Sequence, residues 1–192
     1  MTDILRNLPD HFESERLVIR SYRLGDGPMY FAAGQRNRAH LQQYEADNVM
    51  LSPQTVDEAE ALVRELAADW SAGRHFFLGA FEKTTGEFAA QVYVGVVSWQ
   101  TPEFMIGYAA DVDHEGRGYV SEAVRATVRF AFEHLGAHRL RLMCNDRNER
   151  SIRVAERCGF IREGHLLEDR RHADGSFSSS YIYRLLKKDI AE

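Results

Sequence analysis

The stretch Asp111-Val112-Asp113-His114-Glu115-Gly116-Arg117-Gly118-Tyr119-Val120-Ser121-Glu122-Ala123 constrains the fold of this chain more than any other. Before it, Phe104-Met105-Ile106-Gly107-Tyr108-Ala109-Ala110 is apolar and reads as a buried strand. After it, Val120, Val124, Thr127, Val128, Ala131, Phe132 and Leu135 recur at three- and four-residue spacing, which predicts a helix. Two glycines flank an arginine at the junction. Glycine tolerates positive φ and has no Cβ, so the backbone can curl tightly and approach a ligand there. The helix that follows presents unpaired N–H groups and the positive end of its dipole. Together these parts predict an anion site, most naturally for phosphate. A plain strand-to-helix loop also favours glycine, so the local pattern alone leaves both readings open. No Lys-Ser or Lys-Thr follows the second glycine, which excludes a Walker loop, and the three spaced glycines of a dinucleotide fingerprint are absent.

At 192 residues the chain is expected to form one domain, 1–192, with its core over about 15–186. A net charge of −5, from 24 basic and 29 acidic residues, argues against nucleic acid as the main partner. Cys144 and Cys158 offer neither a disulfide framework nor metal-ligand spacing, and read as buried thiols of a reducing compartment. Eight scattered histidines show no paired spacing of the kind a zinc helix needs, so no metal is expected. The polar run Met1–Asp10 reads as lacking a signal peptide, and no apolar run reaches the length of a membrane span. These features predict a cytoplasmic protein with no membrane partner.

Residues 1–14 read as a polar lead-in and Arg16–Tyr22 as a first strand, with Leu17 and Ile19 on one face. Pro28 suits a first helical turn, and Met29 to about Tyr44 predicts one or two short helices whose Arg36, Arg38 and His40 form a solvated face. Thr55 and Glu58 fit a capping box before an amphipathic helix that stops near Gly73. Phe76–Phe81, Phe88–Trp99 and Phe104–Val112 then read as a three-strand meander, its first hairpin turning at Thr84-Thr85-Gly86-Glu87. Beyond the central helix, His138–Cys144 alternates as a strand, and Asn148–Cys158 reads as a helix stopped by Gly159. Phe160 to about Arg171 and Phe177 to Leu186 are extended around an Asp174-Gly175 turn. Antiparallel hairpins first and strand–helix–strand later give a mixed α+β domain.

This order of elements, with its motifs, resembles the GNAT superfamily of acyl-CoA N-acyltransferases. Gly116-Arg117-Gly118-Tyr119-Val120-Ser121-Glu122-Ala123 is similar to that superfamily's pyrophosphate loop, preceded by Ile106-Gly107-Tyr108. Asn145-Asp146-Arg147-Asn148-Glu149-Arg150-Ser151, then Glu156-Arg157-Cys158-Gly159-Phe160 and Glu163-Gly164, resembles the second block of the Rim-type ribosomal-protein N-acetyltransferases. The likeness runs from about Glu15 to Leu186. It implies a mixed, mostly antiparallel sheet flanked by helices, with acetyl-CoA in a cleft beside the strand before the loop. On this likeness, Gly116, Arg117, Gly118, Tyr119 and Val120 would offer backbone N–H groups to the pyrophosphate. Tyr108, Ala109 and Ala110 would pair with the pantetheine arm, their N–H groups also polarising the thioester carbonyl. Val112 and Asn145 belong to the implied cofactor contacts, Asn148 matches the asparagine that reaches the cofactor arm, and Ser151 matches the serine that protonates the departing thiolate. The implied catalytic set is therefore Ser151 with the backbone of Tyr108 and Ala110.

Three positions depart from the family pattern. Met105 replaces the acidic or amide residue often found before Ile-Gly-Tyr, Asp113 opens the wider loop motif, and Ser179 stands where an aspartate often precedes Tyr183. No base is fixed by the sequence: Glu168, Asp169, Glu103 and Glu45 are the candidates, each read in preference as a solvated surface carboxylate. Asn148 reads by composition as a helix cap and Ser151 as a first-turn residue, Tyr119 is expected to pack on the core, and His114 is expected in solvent. Arg153 either meets the CoA 3′-phosphate or solvates its helix, and Trp70 and Trp99 read as core or cleft wall. The resemblance implies direct acetyl transfer from acetyl-CoA, without a metal, to a primary amine. The acceptor classes are a protein N-terminus, an amino acid, a polyamine or an aminoglycoside, and a homodimer is left open. A CoA-binding module without turnover is the rival of a different class.

Overall fold

The computed structural model describes residues 8–172 and 174–190. Half of the polar lead-in, residues 1–7, and with it most of the run on which the signal-peptide reading rests, lies outside the described residues. Within them, β1 (His11–Glu13) and β2 (Leu17–Ser21) precede α1 (Gly27–Tyr44), a 3-10 turn at Val49–Leu51, and α2 (Val56–Ala72). The meander β3 (His75–Glu82), β4 (Phe88–Ser98), β5 (Glu103–Ala110) leads through a 3-10 turn at Val112–His114 into α3 (Tyr119–Glu133). Then come β6 (Arg139–Asn145), α4 (Glu149–Arg157), β7 (Ile161–Arg171) and β8 (Phe177–Leu186).

Eight strands form one sheet in the order β1-β2-β3-β4-β5-β6-β8-β7, and only the β5–β6 pair is parallel. Period-two burial puts Leu17, Ile19, Leu78, Ala80, Val92, Val94, Phe104, Ile106, Leu140 and Leu142 in one large core. Helix α3 closes that core with Ala123, Val124, Ala131 and Phe132. A second core sits where α1 and α2 bring Tyr30, Ala33, Leu41, Ala59, Val63 and Leu66 against Tyr22, Phe81, Phe88 and Ala109.

Local chemistry sets the boundaries. Thr55 Oγ1 accepts from the Glu58 N–H at 3.2 Å, while the Glu58 carboxylate accepts from Gln54 N–H, one residue earlier than a standard capping box. Gly73 and Gly159 end their helices at φ 66° and 84°.

Three expectations are corrected. Gly27–Tyr44 is one helix of 18 residues, and its inner face carries the polar Asn37, whose amide is satisfied by Ala33 O and Asp111. That polar-inside position hides the helical period. Strand β5 stops at Ala110, so Val112 belongs to the 3-10 turn. Within the lead-in, His11–Glu13 forms an edge strand whose Phe12 stacks on Phe130 at 4.6 Å.

Candidate active site

The parallel pairing of β5 with β6 runs from Glu103↔Arg139 to Ile106↔Leu142 and stops there. Beyond that point β6 stays with β8 as far as Asn145↔Ser180, while β5 stays with β4 as far as Ala110↔Ala90. The two strands therefore part in a V. An antiparallel residue directs its N–H and C=O to the same side, and the sides alternate along the strand. Asp111 N–H donates to Ala89 O at 3.0 Å, so Gly107 and Ala109 also face β4. Tyr108 and Ala110 consequently direct their backbone groups into the V. Ala109 instead contributes a buried methyl to the second core.

Two cavities open on either side of this split. One, of about 480 Å³, is lined by Tyr108, Ala109, Ala110, Glu115, Val120 and the start of α4. The other, of about 470 Å³, is lined by Phe77, Gln91, Tyr93, Met105, Cys144 and Arg170 among others. They share Tyr44, Glu45, Tyr108, Asn148 and Ser151. Asn145 lines only the second cavity.

At the outer end of the first cavity the chain curls through Gly116 (φ 75°) and Gly118 (φ 80°), conformations that favour glycine. From Gly118 to Ser121 no backbone N–H has an acceptor among the described residues; the first helical bond is Glu122 N–H to Gly118 O. These are the free donors an anion needs. The loop is braced from both sides. Asp111, fully buried, accepts from Arg36 and Asn37 of α1, and Asn37 Oδ1 accepts from Val112 N–H at 2.8 Å. Burial alone pushes the Asp111 carboxyl up, but the bonds from Arg36 and Asn37 outweigh it and hold its pKa below the usual value. Glu122 accepts from Ser14 Oγ, Arg16 N–H and Arg16 Nε, each at 2.7 Å, which fastens α3 to the start of β2. Tyr119 is 5% exposed, its ring under the Arg16 guanidinium, so only its backbone is free for an anion. Arg36 is therefore not simply a solvated residue, and His114 is buried rather than in solvent.

The shared wall of the cavities holds the reactive groups. Asn148 caps α4 by accepting from Ser151 N–H at 3.0 Å, which fixes Ser151 in the first turn. Ser151 Oγ donates to Tyr108 Oη at 3.0 Å, and Tyr108 Oη donates to Ser151 O at 2.7 Å. Burial raises the Tyr108 pKa well above the ordinary phenol value, against the opposing bond from Ser151, so this hydroxyl stays protonated. Glu45 lies just past α1, half-buried, and burial raises its pKa; the bond from Asn48 Nδ2 at 2.8 Å and the charges of Arg170 and His40 oppose that shift. It is the only one of the four candidate carboxylates that lines either cavity. Glu103 is bound by Arg139 and Arg141 at 3.2 and 2.8 Å. Glu168 and Asp169 are exposed on a bulge of β7, and Ser179 Oγ accepts from Glu168 N–H. Arg153 pairs with Glu149 on α4, and both border the first cavity. Both thiols are pushed up to about 11 by burial and are therefore poor nucleophiles at neutral pH.

A curated relative, spermidine N(1)-acetyltransferase of Vibrio cholerae, is 24% identical over 81% of this chain and 85% of its own length. Mycobacterium smegmatis RimJ in complex with CoA-disulfide superposes with a TM-score of 0.85 at 20% identity, covering 96% of this chain and 90% of that one. RimL, the ribosomal L7/L12 alpha-N-protein acetyltransferase, in complex with coenzyme A, gives 0.81 at 20% identity over 93% and 97%. Both structures share this fold. Residues 16–161 match the family model described as acetyltransferase (GNAT) domain, and this chain belongs to that family of acetyltransferases.

Proposed function

We propose that the protein transfers an acetyl group from acetyl-CoA directly to a primary amine in a ternary complex, with a protein N-terminus as the acceptor class. The observation that carries this reading is the meeting of two cavities at Tyr108, Ser151 and Glu45. One cavity is bordered by Glu115 and Val120, which flank the glycine loop, and the other opens on the opposite side of the V. The pyrophosphate binds Gly116–Val120, and the pantetheine amides pair with the free backbone of Tyr108 and Ala110. Those N–H groups polarise the thioester carbonyl, where donors in a water-poor site act most strongly.

The amine enters from the second cavity as an ammonium and gives one proton to Glu45. A carboxylate with a raised pKa is a better base than an ordinary one. Nitrogen then attacks the carbonyl carbon, the C–N bond forms, and the C–S bond breaks as the intermediate collapses. Nitrogen passes its second proton to water, Glu45 returns the first to solvent, and the thiolate takes a proton from Ser151 Oγ, which is replenished from solvent. The products are an amide, free CoA and one net proton. Asn148 contacts the cofactor arm with the part of its amide that the cap leaves free.

The structural likeness to RimL, named for an alpha-N-protein substrate, supports the protein N-terminus. A polyamine acceptor is the second reading, supported by Glu45 and Asp47 on the acceptor-side cavity and by the relative named spermidine N(1)-acetyltransferase. CoA release measured against an N-terminal peptide and spermidine tests both. Turnover with the peptide and not spermidine is expected. CoA binding without release for any amine would instead establish a binding module. Glu45→Gln should lower kcat/KM by roughly 10²–10⁴ while CoA affinity holds. In the parent, kcat/KM should rise with pH through a value above the ordinary carboxylate range, as Glu45 loses its proton. That limb should vanish in Glu45→Gln; its persistence would give the base role to another group.

A further inference from the structure

On the far side of the glycine loop, the fold brings together three residues that sequence spacing keeps apart. Glu82 ends β3, Glu87 precedes β4 across the same hairpin turn, and His114 lies in the 3-10 turn after β5. One ligand atom from each lies within 4.8 Å of the other two. His114 is 7% exposed, and its Nε2 has no hydrogen-bond partner among the described residues. That nitrogen lies 3.4 Å from Glu87 Oε2. On the other side of the ring, Nδ1 lies 3.4 Å from Asp111 Oδ1, which is itself fully buried.

A buried imidazole whose Nδ1–H is turned to a carboxylate presents a lone pair at Nε2. Here that lone pair faces two further carboxylates, an arrangement that repels itself unless a cation stands between them. We infer that Glu82, Glu87 and His114 form a binding site for a divalent transition-metal cation of the zinc type. One imidazole nitrogen and two carboxylates suit zinc, which takes such atoms at about 2.0–2.2 Å and completes its shell with water. Small side-chain shifts close the present spacing to those lengths.

The outer partners are already in place. Asp111 fixes the ring and its tautomer, and is held in turn by Arg36 and Asn37. Tyr119 Oη donates to Glu82 Oε1 at 2.8 Å and Thr85 Oγ1 to Glu82 Oε2 at 3.2 Å, leaving lone pairs free on that carboxylate. A bound ion would tie the β3–β4 turn to a residue two positions before Gly116. It would brace the loop from outside without touching the reacting groups.

Zinc alone, titrated into the metal-stripped full chain by calorimetry, tests the site independently of turnover. One ion per chain is expected, with a rise in Tm under saturating zinc. Glu87→Gln, at an exposed position, should weaken binding at least about tenfold, and Glu82→Gln should do the same. Tyr119→Phe should weaken it about tenfold by freeing an oriented ligand. Zinc bound equally well by parent, Glu87→Gln and Glu82→Gln would place the ion on other histidines. No stoichiometric binding would mean that a proton caps Nε2. Either result overturns the assignment.

Discussion

Asn148 joins two functions in one side chain: its Oδ1 ends the orphaned state of the Ser151 N–H, and its position places it in both cavities. Ser151 differs, because its hydroxyl is turned to Tyr108 Oη on the wall shared by the two cavities, where the proposed transfer puts the sulfur. Replacing each should therefore separate binding from chemistry. Ser151→Ala should lower the single-turnover rate about 10²-fold or more with little change in CoA affinity, since a proton donor acts only as the C–S bond breaks. Asn148→Ala should weaken CoA binding and cost about 1 kcal/mol of stability through the lost cap. Equal turnover by Ser151→Ala and parent would return that residue to helix initiation. At this scale the sequence shows Asn148 at the helix start and Ser151 in its first turn, because both sit in a local motif. It left Glu45 as one of four candidates, since its raised pKa comes from burial where α1 ends against a loop, which no local pattern encodes. His114 departs from its expected exposure for the converse reason: this polar residue next to the loop is buried, with Asp111 and Tyr119 against its ring.

Helix α3 owes its place to Glu122 as much as to its apolar stripe. Burial favours the neutral acid, yet bonds from Ser14 and Arg16 outweigh it and hold the Glu122 pKa below the ordinary value. A carboxyl depressed in the folded state stabilises the fold fully above its unfolded pKa, about 4.3, and that stabilisation is lost as pH falls through the folded value. Urea denaturation at a series of pH values should therefore show stability declining below about pH 4.3, with a shallower decline in Glu122→Gln. At neutral pH that variant should lose about 1–2 kcal/mol, the figure reduced because the Arg16 side chain is partly exposed. An unchanged acid limb would show that other carboxylates carry it. The placing of polar residues makes α3 plain in the sequence and α1 obscure. In α3 the polar anchor lies at the edge of a wide apolar face, whereas in α1 Asn37 sits in the middle of the buried face and breaks the pattern. Strand β1 escaped the pattern altogether, because three residues are too few to show a period and Phe12 gains its meaning only from Phe130 across space.

Across the whole molecule, the meander and the two motif blocks were enough to anticipate an α+β sheet of this type, but not where it splits. The split depends on β5 and β6, strands separated by the whole of α3, running together only from Glu103 to Ile106. What opens them is the different loyalty of their ends, β5 to β4 and β6 to β8. A strand half paired in this way has alternating fates along its backbone. Gly107 and Ala109 donate to β4 in the free protein, while Tyr108 and Ala110 face the V without a strand partner. Amide hydrogen exchange should reproduce that alternation. In free protein the Gly107 and Ala109 amides should be protected and those of Tyr108 and Ala110 close to unprotected. Saturating CoA stabilises the folded state as a whole, by about 2.7 kcal/mol at a hundredfold excess over Kd. Gly107 and Ala109 can gain no more than that shared increment. Tyr108 and Ala110 should gain local protection beyond it, because the pantetheine amides supply the acceptors that a neighbouring strand would. Equal gains at all four amides would mean that the cofactor stabilises the fold without entering the V, and the pairing proposed for Tyr108 and Ala110 would fall.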